Sequence, residues 1–146
     1  MKNFRIRRIV CFALALCTII YLCIVPAFAR SSPTLDAYRA DCTAATGGRI
    51  DVNIYVAALG TMDKIGVEKI YLYESTDDVT FRLVKIFYAS AWPAMMDSNT
   101  NCYYKMPVYY SGVVGRYYMA TAYVYAELNG ISDTKTYETA SVRAIS

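Results

Sequence analysis

A group of acidic residues in the middle of the chain could carry acid–base chemistry. Glu68, Glu74, Asp77 and Asp78 lie within one short segment, and glycoside hydrolysis requires a pair of carboxylates. Asp77 and Asp78, however, stand between two strand-like runs, where a hairpin turn favours aspartate. A glycosidase also needs a cleft, which a small all-β domain seldom supplies. We therefore assign the two aspartates to a turn.

The absence of histidine restricts the chemistry further. The chain has no histidine, which removes Ser-His-Asp and Cys-His nucleophile systems and histidine-based zinc sites. The segment Asp97–Asn101 begins like an EF-hand loop, but Cys102 stands where the loop needs glycine. We expect no catalytic residue, no metal site and no cofactor, and we expect that the protein is not an enzyme.

Five cysteines divide between the N-terminal segment and the rest of the chain. Three lie before residue 24, which leaves Cys42 and Cys102 in the remainder. If this part of the chain lies outside the cytoplasm, an even pair favours a disulfide. Closing a loop of this size would stabilise the fold by roughly 4 kcal/mol. The alternative is two free thiols in a protein made for an anaerobic habitat.

The first 29 residues have the pattern of a secretory signal. Lys2, Arg5, Arg7 and Arg8 precede an apolar run from Ile9 to Val25, and Pro26 and Ala-Phe-Ala follow. This order predicts a signal helix over residues 1–29 with cleavage between Ala29 and Arg30. Counted to Ala29, the run reaches 21 residues, a length that also suits an uncleaved membrane anchor. The first interpretation predicts a secreted protein, and the second predicts a membrane-anchored protein that faces outward.

The net positive charge of the chain comes from this N-terminal segment. Lysine and arginine number 15 against 12 acidic residues, but four of the basic residues and none of the acidic ones precede residue 30. The remaining 117 residues are close to neutral, and they show no basic stripe of the kind that binds nucleic acid. We expect no nucleic-acid partner, and contact with a membrane only through the N-terminal segment.

Period-two alternation follows in the rest of the chain. Residues 30–46 are polar and predict a tether or a first short strand, whereas Ile50, Val52, Ile54 and Val56 alternate with polar residues.

Turn-forming residues separate the strand-like runs. Hairpin turns are predicted at Asp77-Asp78 and at Asn129-Gly130. Pro107 predicts a sheet edge or a bulge. About seven short strands without a convincing helix predict an all-β, antiparallel sandwich over residues 47–146.

Two segments resemble fibronectin type III modules. In "IYLYESTDDVTFRLVKIF" an aromatic residue leads through Ser75 and an acidic turn to Phe81 and Leu83, and in "YYMATAYVYAELNG" Tyr118 holds the tyrosine-corner position. The resemblance implies a fibronectin III-like or immunoglobulin-like sandwich, although the early-strand tryptophan of that family is missing. The whole chain also resembles short exported proteins of Gram-positive gut bacteria, which implies no activity.

Tyrosine is the remaining candidate for function. If Ala120, Ala122 and Val124 face the core, alternate residues of the same strand face outward, and a neighbouring strand adds more. The outward set is Tyr71, Tyr73, Tyr117, Tyr123 and Tyr125. Such a face could stack on sugars or anchor a protein, or it could serve only strand formation and cross-strand pairing. We expect a secreted binding module for a protein or glycan partner at the cell surface. The alternative is a membrane-anchored structural or assembly protein.

Overall fold

The computed structural model describes residues 34–146. The predicted signal segment, residues 1–29, and its cleavage site between Ala29 and Arg30 lie outside the described residues. The described part is all-β and antiparallel. Its strands are β1 (Leu35–Ala44), β2 (Arg49–Met62), β3 (Lys64–Ser75), β4 (Arg82–Tyr88), β5 (Met96–Asp97), β6 (Thr100–Ser111), β7 (Tyr117–Leu128), β8 (Ile131–Glu138) and β9 (Val142–Arg143).

The strands form two sheets packed face to face. The smaller sheet has the order β1-β2-β6, and the larger has the order β4-β3-β7-β8, with β5 added to β3 and β9 added to β7. This arrangement is compatible with an immunoglobulin-like or fibronectin III-like sandwich. Among residues 34–146, no helix has the length and apolar character needed to cross a membrane.

The predicted inward sides of the strands form the core. Ile50, Val52, Ile54 and Val56 of β2 are fully buried. Ala120, Ala122 and Val124 of β7 are fully buried as well. Because successive side chains of a strand point to opposite faces, these positions fix which residues of both sheets face outward.

Both predicted hairpins are present. Asn129 and Gly130 alone separate β7 from β8, and both have positive φ, 53° and 75°, as a type I′ turn requires. Between β3 and β4, the Asp77 side chain accepts the backbone N–H groups of Val79 and Thr80 at 3.0 and 2.8 Å. Asp77 is therefore a turn residue, as its position in the sequence indicates.

Pro107 lies in an edge strand, and the pairing is irregular beside it. Strand β6 is at the edge of the smaller sheet, and its register against β2 shifts between Val52 opposite Val108 and Ile54 opposite Lys105. Proline lacks the N–H that a regular ladder would use. The prediction of an edge or a bulge is confirmed on both counts.

Two segments are more ordered than their composition indicates. Residues 35–44, predicted to be a tether or a short strand, form a ten-residue strand that pairs with β2 from Ala58 to Ile50. In the proline- and asparagine-containing segment before Asn101, β5 pairs with β3, and Met95 is fully buried. In both segments the partner strand supplies order that local sequence does not signal.

The structure does not contain the predicted disulfide, and Cys42 and Cys102 are both free. In the strand register, Cys42 of β1 lies opposite inward-facing Val52 of β2, whereas Cys102 of β6 lies opposite Ala57 of β2 and is exposed. Their partners on β2 are five residues apart, about 16 Å at the rise of a strand. Since bonded cysteines have Cα atoms within about 7 Å, this register excludes the bridge. An even cysteine count did not predict pairing here.

Candidate functional site

The five predicted tyrosines lie on the outer side of the larger sheet. We call this surface the packed face and define it by Lys69, Tyr71 and Tyr73 of β3 and by Tyr117, Tyr123 and Tyr125 of β7. All five tyrosines are half-buried. The prediction that they point away from the core is correct, but part of each side chain is covered by its neighbours on the same surface.

Contacts within the packed face explain the partial burial. The rings of Tyr71 and Tyr123 have their centroids 5.3 Å apart, and the Lys69 ammonium lies 4.3 Å from the Tyr123 centroid. The register places Tyr123 opposite Lys69 and Thr121 opposite Tyr71, so the two rings meet diagonally across the strands. Cross-strand aromatic and cation–π contacts of this kind stabilise a sheet.

The tyrosines form a stripe rather than a single cluster. Tyr117 and Tyr125 are eight residues apart on β7, about 26 Å at the rise of a strand. At one end Arg143 lies 5.8 Å from the Tyr117 ring. At the other end the Tyr125 hydroxyl donates to Glu127 at 2.5 Å, a bond that, with burial, raises the pKa of Tyr125. A ligand of this face would have to be extended.

A buried carboxylate anchors one end of the sandwich. Glu74 of β3 accepts hydrogen bonds from Tyr118 at 2.6 Å, Arg116 at 2.5 Å and Arg82 at 2.8 Å. We call these four residues the Glu74 cluster. Burial alone would raise the pKa of Glu74, but the three donors outweigh it and lower the pKa to about 2. The carboxylate is ionised and fully engaged, so it serves structure rather than acid–base catalysis.

Tyr118 connects the Glu74 cluster to the loop that follows the smaller sheet. Its hydroxyl accepts the backbone N–H of Val113 at 2.8 Å, five residues upstream, and its ring lies 5.9 Å from that of Tyr110 on β6. This is the geometry of a tyrosine corner. Gly112 lies against the same ring, and a Cβ on it would come within 2.7 Å of the Tyr118 Cζ. The corner therefore connects β7 of the larger sheet to the end of β6 and the loop that follows it.

The outer side of the smaller sheet carries exposed tyrosines that the sequence analysis did not select. We call it the open face and define it by Arg39, Asp41 and Thr43 of β1, Arg49, Asp51, Asn53 and Tyr55 of β2, and Tyr104 and Tyr109 of β6. Tyr104 is 75% exposed, Tyr109 52% and Tyr55 37%. Alternation in β2 puts Tyr55 on this side, so that signal was available. The β6 tyrosines are harder to assign, because the shift beside Pro107 interrupts their alternation.

A groove of about 750 Å³ opens on this face, lined among others by Arg39, Asp41, Asn53, Tyr55 and Tyr104. The Tyr55 and Tyr104 rings meet edge to face with centroids 6.2 Å apart. Asn53 donates to the Thr43 hydroxyl at 3.1 Å. The groove combines aromatic surface with hydrogen-bonding groups, which is the composition of a site for a polar ligand.

The Cys42 thiol does not add a reactive centre. Cys42 faces inward, where the Thr139 hydroxyl donates to its sulfur at 3.4 Å. Burial raises the pKa of Cys42 to about 11, which keeps it protonated and a poor nucleophile. Among residues 34–146, no group of three or more His, Cys, Asp or Glu side chains is arranged to hold a metal ion.

Comparison with models of known protein families gives no match for this chain, and comparison with curated protein sequences gives none either.

Proposed function

We propose that the protein is a secreted, non-enzymatic binding module that uses the packed face to engage a protein or glycan partner at the cell surface. The observation that carries the proposal is the contact among Tyr71, Tyr123 and Lys69 on an outer sheet surface. These side chains are already held in place by one another, so a partner would immobilise little additional rotamer freedom. Tyrosine also supplies a large, amphipathic contact area with few rotatable bonds.

A protein partner fits this face better than a glycan. The surface is a long stripe, and tyrosine is among the residues that most often dominate the binding energy of protein interfaces. Charges of both signs lie along the stripe, which can fix the orientation of a partner. They are Lys69, Arg143 and the Lys64–Glu127 pair. Export is part of the proposal because residues 1–29 have the pattern of a signal segment.

The finer fold assignment is also a proposal. Two observations support a fibronectin III-like module. Three strands pack on a sheet whose main path has four strands, with the two-residue strands β5 and β9 added, and the Tyr118 hydroxyl is hydrogen-bonded to the backbone upstream of its own strand. Modules of this architecture host many unrelated functions. The binding proposal therefore depends on the packed face and not on the fold.

Photo-crosslinking in the native host tests the proposal. A photoreactive amino acid replaces Tyr73, whose ring can be changed without breaking the Tyr71–Tyr123 contact, and the matched controls carry it at Tyr104 on the open face and at exposed Val79. We expect one discrete adduct from position 73 and none of the same mass from the controls. Adducts of equal yield from all three positions, or none from position 73, would contradict the proposal.

A further inference from the structure

The open face is electrically neutral although it is rich in charged groups. Arg39 pairs with Asp41 at 3.0 Å, and Arg49 pairs with Asp51 at 2.6 Å. The Arg49 guanidinium also lies 4.6 Å from the Tyr109 centroid. Each cation is already matched by a carboxylate of its own strand. An anionic ligand would have to compete with these pairs, so the surface favours a ligand without net charge.

On the open face, hydrogen-bonding side chains lie between two groups of tyrosine rings. The Tyr55–Tyr104 pair occupies one row across the sheet, since the two residues are register partners. Tyr109 is the partner of Asp51, four residues further along β2, about 13 Å at the rise of a strand. Asn53 lies between these rows. At this point β6 bulges, with Val108 and Lys105 flanking the register shift, and the ladder is interrupted.

We propose that the open face is a binding site for a neutral oligosaccharide. A sugar ring has apolar C–H faces, which suit the negative faces of tyrosine rings, and hydroxyls that both donate and accept. Asp41 supplies acceptors, Arg39 supplies donors and Asn53 supplies both. The separation of the aromatic rows requires more than one sugar unit. This site is independent of the packed face and does not rest on the function proposed for it.

A peptide suits this surface less well. A peptide that adds to a sheet uses the free backbone of an edge strand, whereas the groove is lined across the face, over the central strand β2, by Asn53 and Tyr55 as well as by residues of its neighbours. A buried side-chain anchor prefers an apolar pocket at the centre of the interface. Here the same lining carries Arg39, Asp41 and Asn53.

Titration with defined oligosaccharides tests the site. The full chain, expressed with its own N-terminal segment and recovered as the host processes it, is labelled with ¹⁵N and titrated with cellotetraose, mannotetraose and N,N′,N″,N‴-tetraacetylchitotetraose. Tetragalacturonate is the acidic comparison. We expect saturable amide shifts confined to residues 39–43, 51–55 and 102–109 with at least one neutral probe, and weaker binding of the acidic probe.

Matched variants separate this site from the packed face. Tyr104→Ser removes a largely exposed ring and should weaken binding of the neutral probe at least tenfold, and Asn53→Ala should weaken it severalfold. Tyr73→Ser, on the opposite sheet, should leave it unchanged. The proposal would be overturned if none of the three neutral probes bound, or if Tyr104→Ser left the affinity unchanged. Tighter binding of tetragalacturonate than of the neutral probes, or binding of an unstructured tyrosine-containing decapeptide instead of them, would overturn it as well. The crosslinking result at position 73 would stand in each case.

Discussion

The two outer faces of the sandwich use the same residue type in opposite ways. On the packed face, Tyr71 and Tyr123 lie against each other and against Lys69. On the open face, Tyr104 keeps three quarters of its surface exposed, and the arginines pair with acids of their own strands. The comparison shows that facing away from the core does not determine exposure. Exposure depends on what the neighbouring strand places beside the ring.

The Glu74 cluster joins β3, β4 and β7 of the larger sheet to the loop that follows β6, and disrupting it should have the largest effect. Glu74→Ala leaves Arg116 without its buried partner and removes the acceptor for Tyr118, so we expect the free energy of unfolding to fall by about 3 kcal/mol. Urea unfolding followed by circular dichroism measures the change. Since the glutamine amide oxygen can still accept a hydrogen bond, Glu74→Gln should lose less. A loss below about 1 kcal/mol for Glu74→Ala would mean that the corner does not couple the two sheets.

Acid should weaken the same cluster in the unmodified protein. The pKa of Glu74 falls from 4.5 to about 2 on folding, so its stabilising contribution is complete above pH 4.5 and is lost as the pH falls through about 2. Asp77, whose backbone and Ser75 hydrogen bonds lower its pKa to about 2, acts in the same direction. Unfolding measured across this range should show a smaller acid-induced decrease in Glu74→Gln than in the wild type. Asp77→Asn is the control for the turn, and equal decreases in all three proteins would disagree with the assignment.

Removing one tyrosine ring from each face should change the free energy of unfolding by different amounts. Tyr123→Ser removes a cross-strand ring contact, a cation–π contact and half-buried apolar area, and should lower the free energy of unfolding by about 2 kcal/mol. Tyr104→Ser should lower it by less than about 0.5 kcal/mol. Thermal and urea unfolding of both variants provide the measurement. Equal losses would show that the open face is packed in solution as well.

Thiol accessibility should distinguish the inner and outer sides of the smaller sheet without altering stability. Cys102 lies on the outer side near Tyr104, whereas Cys42 is turned toward Thr139. Of the two thiols among residues 34–146, a disulfide reagent should modify Cys102 under native conditions and Cys42 only after unfolding. Intact-mass analysis with Cys102→Ser as the control identifies the site. Rapid modification of Cys42, or a native bridge between the two residues, would require a different register of β1 or β6.

Sequence patterns identified much of the fold because they report on single strands. Strict alternation located the buried sides of β2 and β7, and Asn129-Gly130 located a two-residue hairpin because these residues tolerate positive φ. Tyr118 was placed at the corner by its resemblance to a known pattern. Residues 35–44 were harder to assign, since small and polar residues have low intrinsic strand preference, and β1 is ordered by pairing with β2.

The sequence by itself determined the all-β class, the direction in which each tyrosine of β3 and β7 points, and the exclusion of histidine chemistry. Tertiary structure decided which tyrosines remain accessible, that Cys42 and Cys102 are apart, and that a groove opens over β2. The physical reason is the range of the interactions. Side-chain direction follows from the two-residue period of one strand, whereas exposure, cysteine pairing and groove shape depend on register between strands that are distant in sequence.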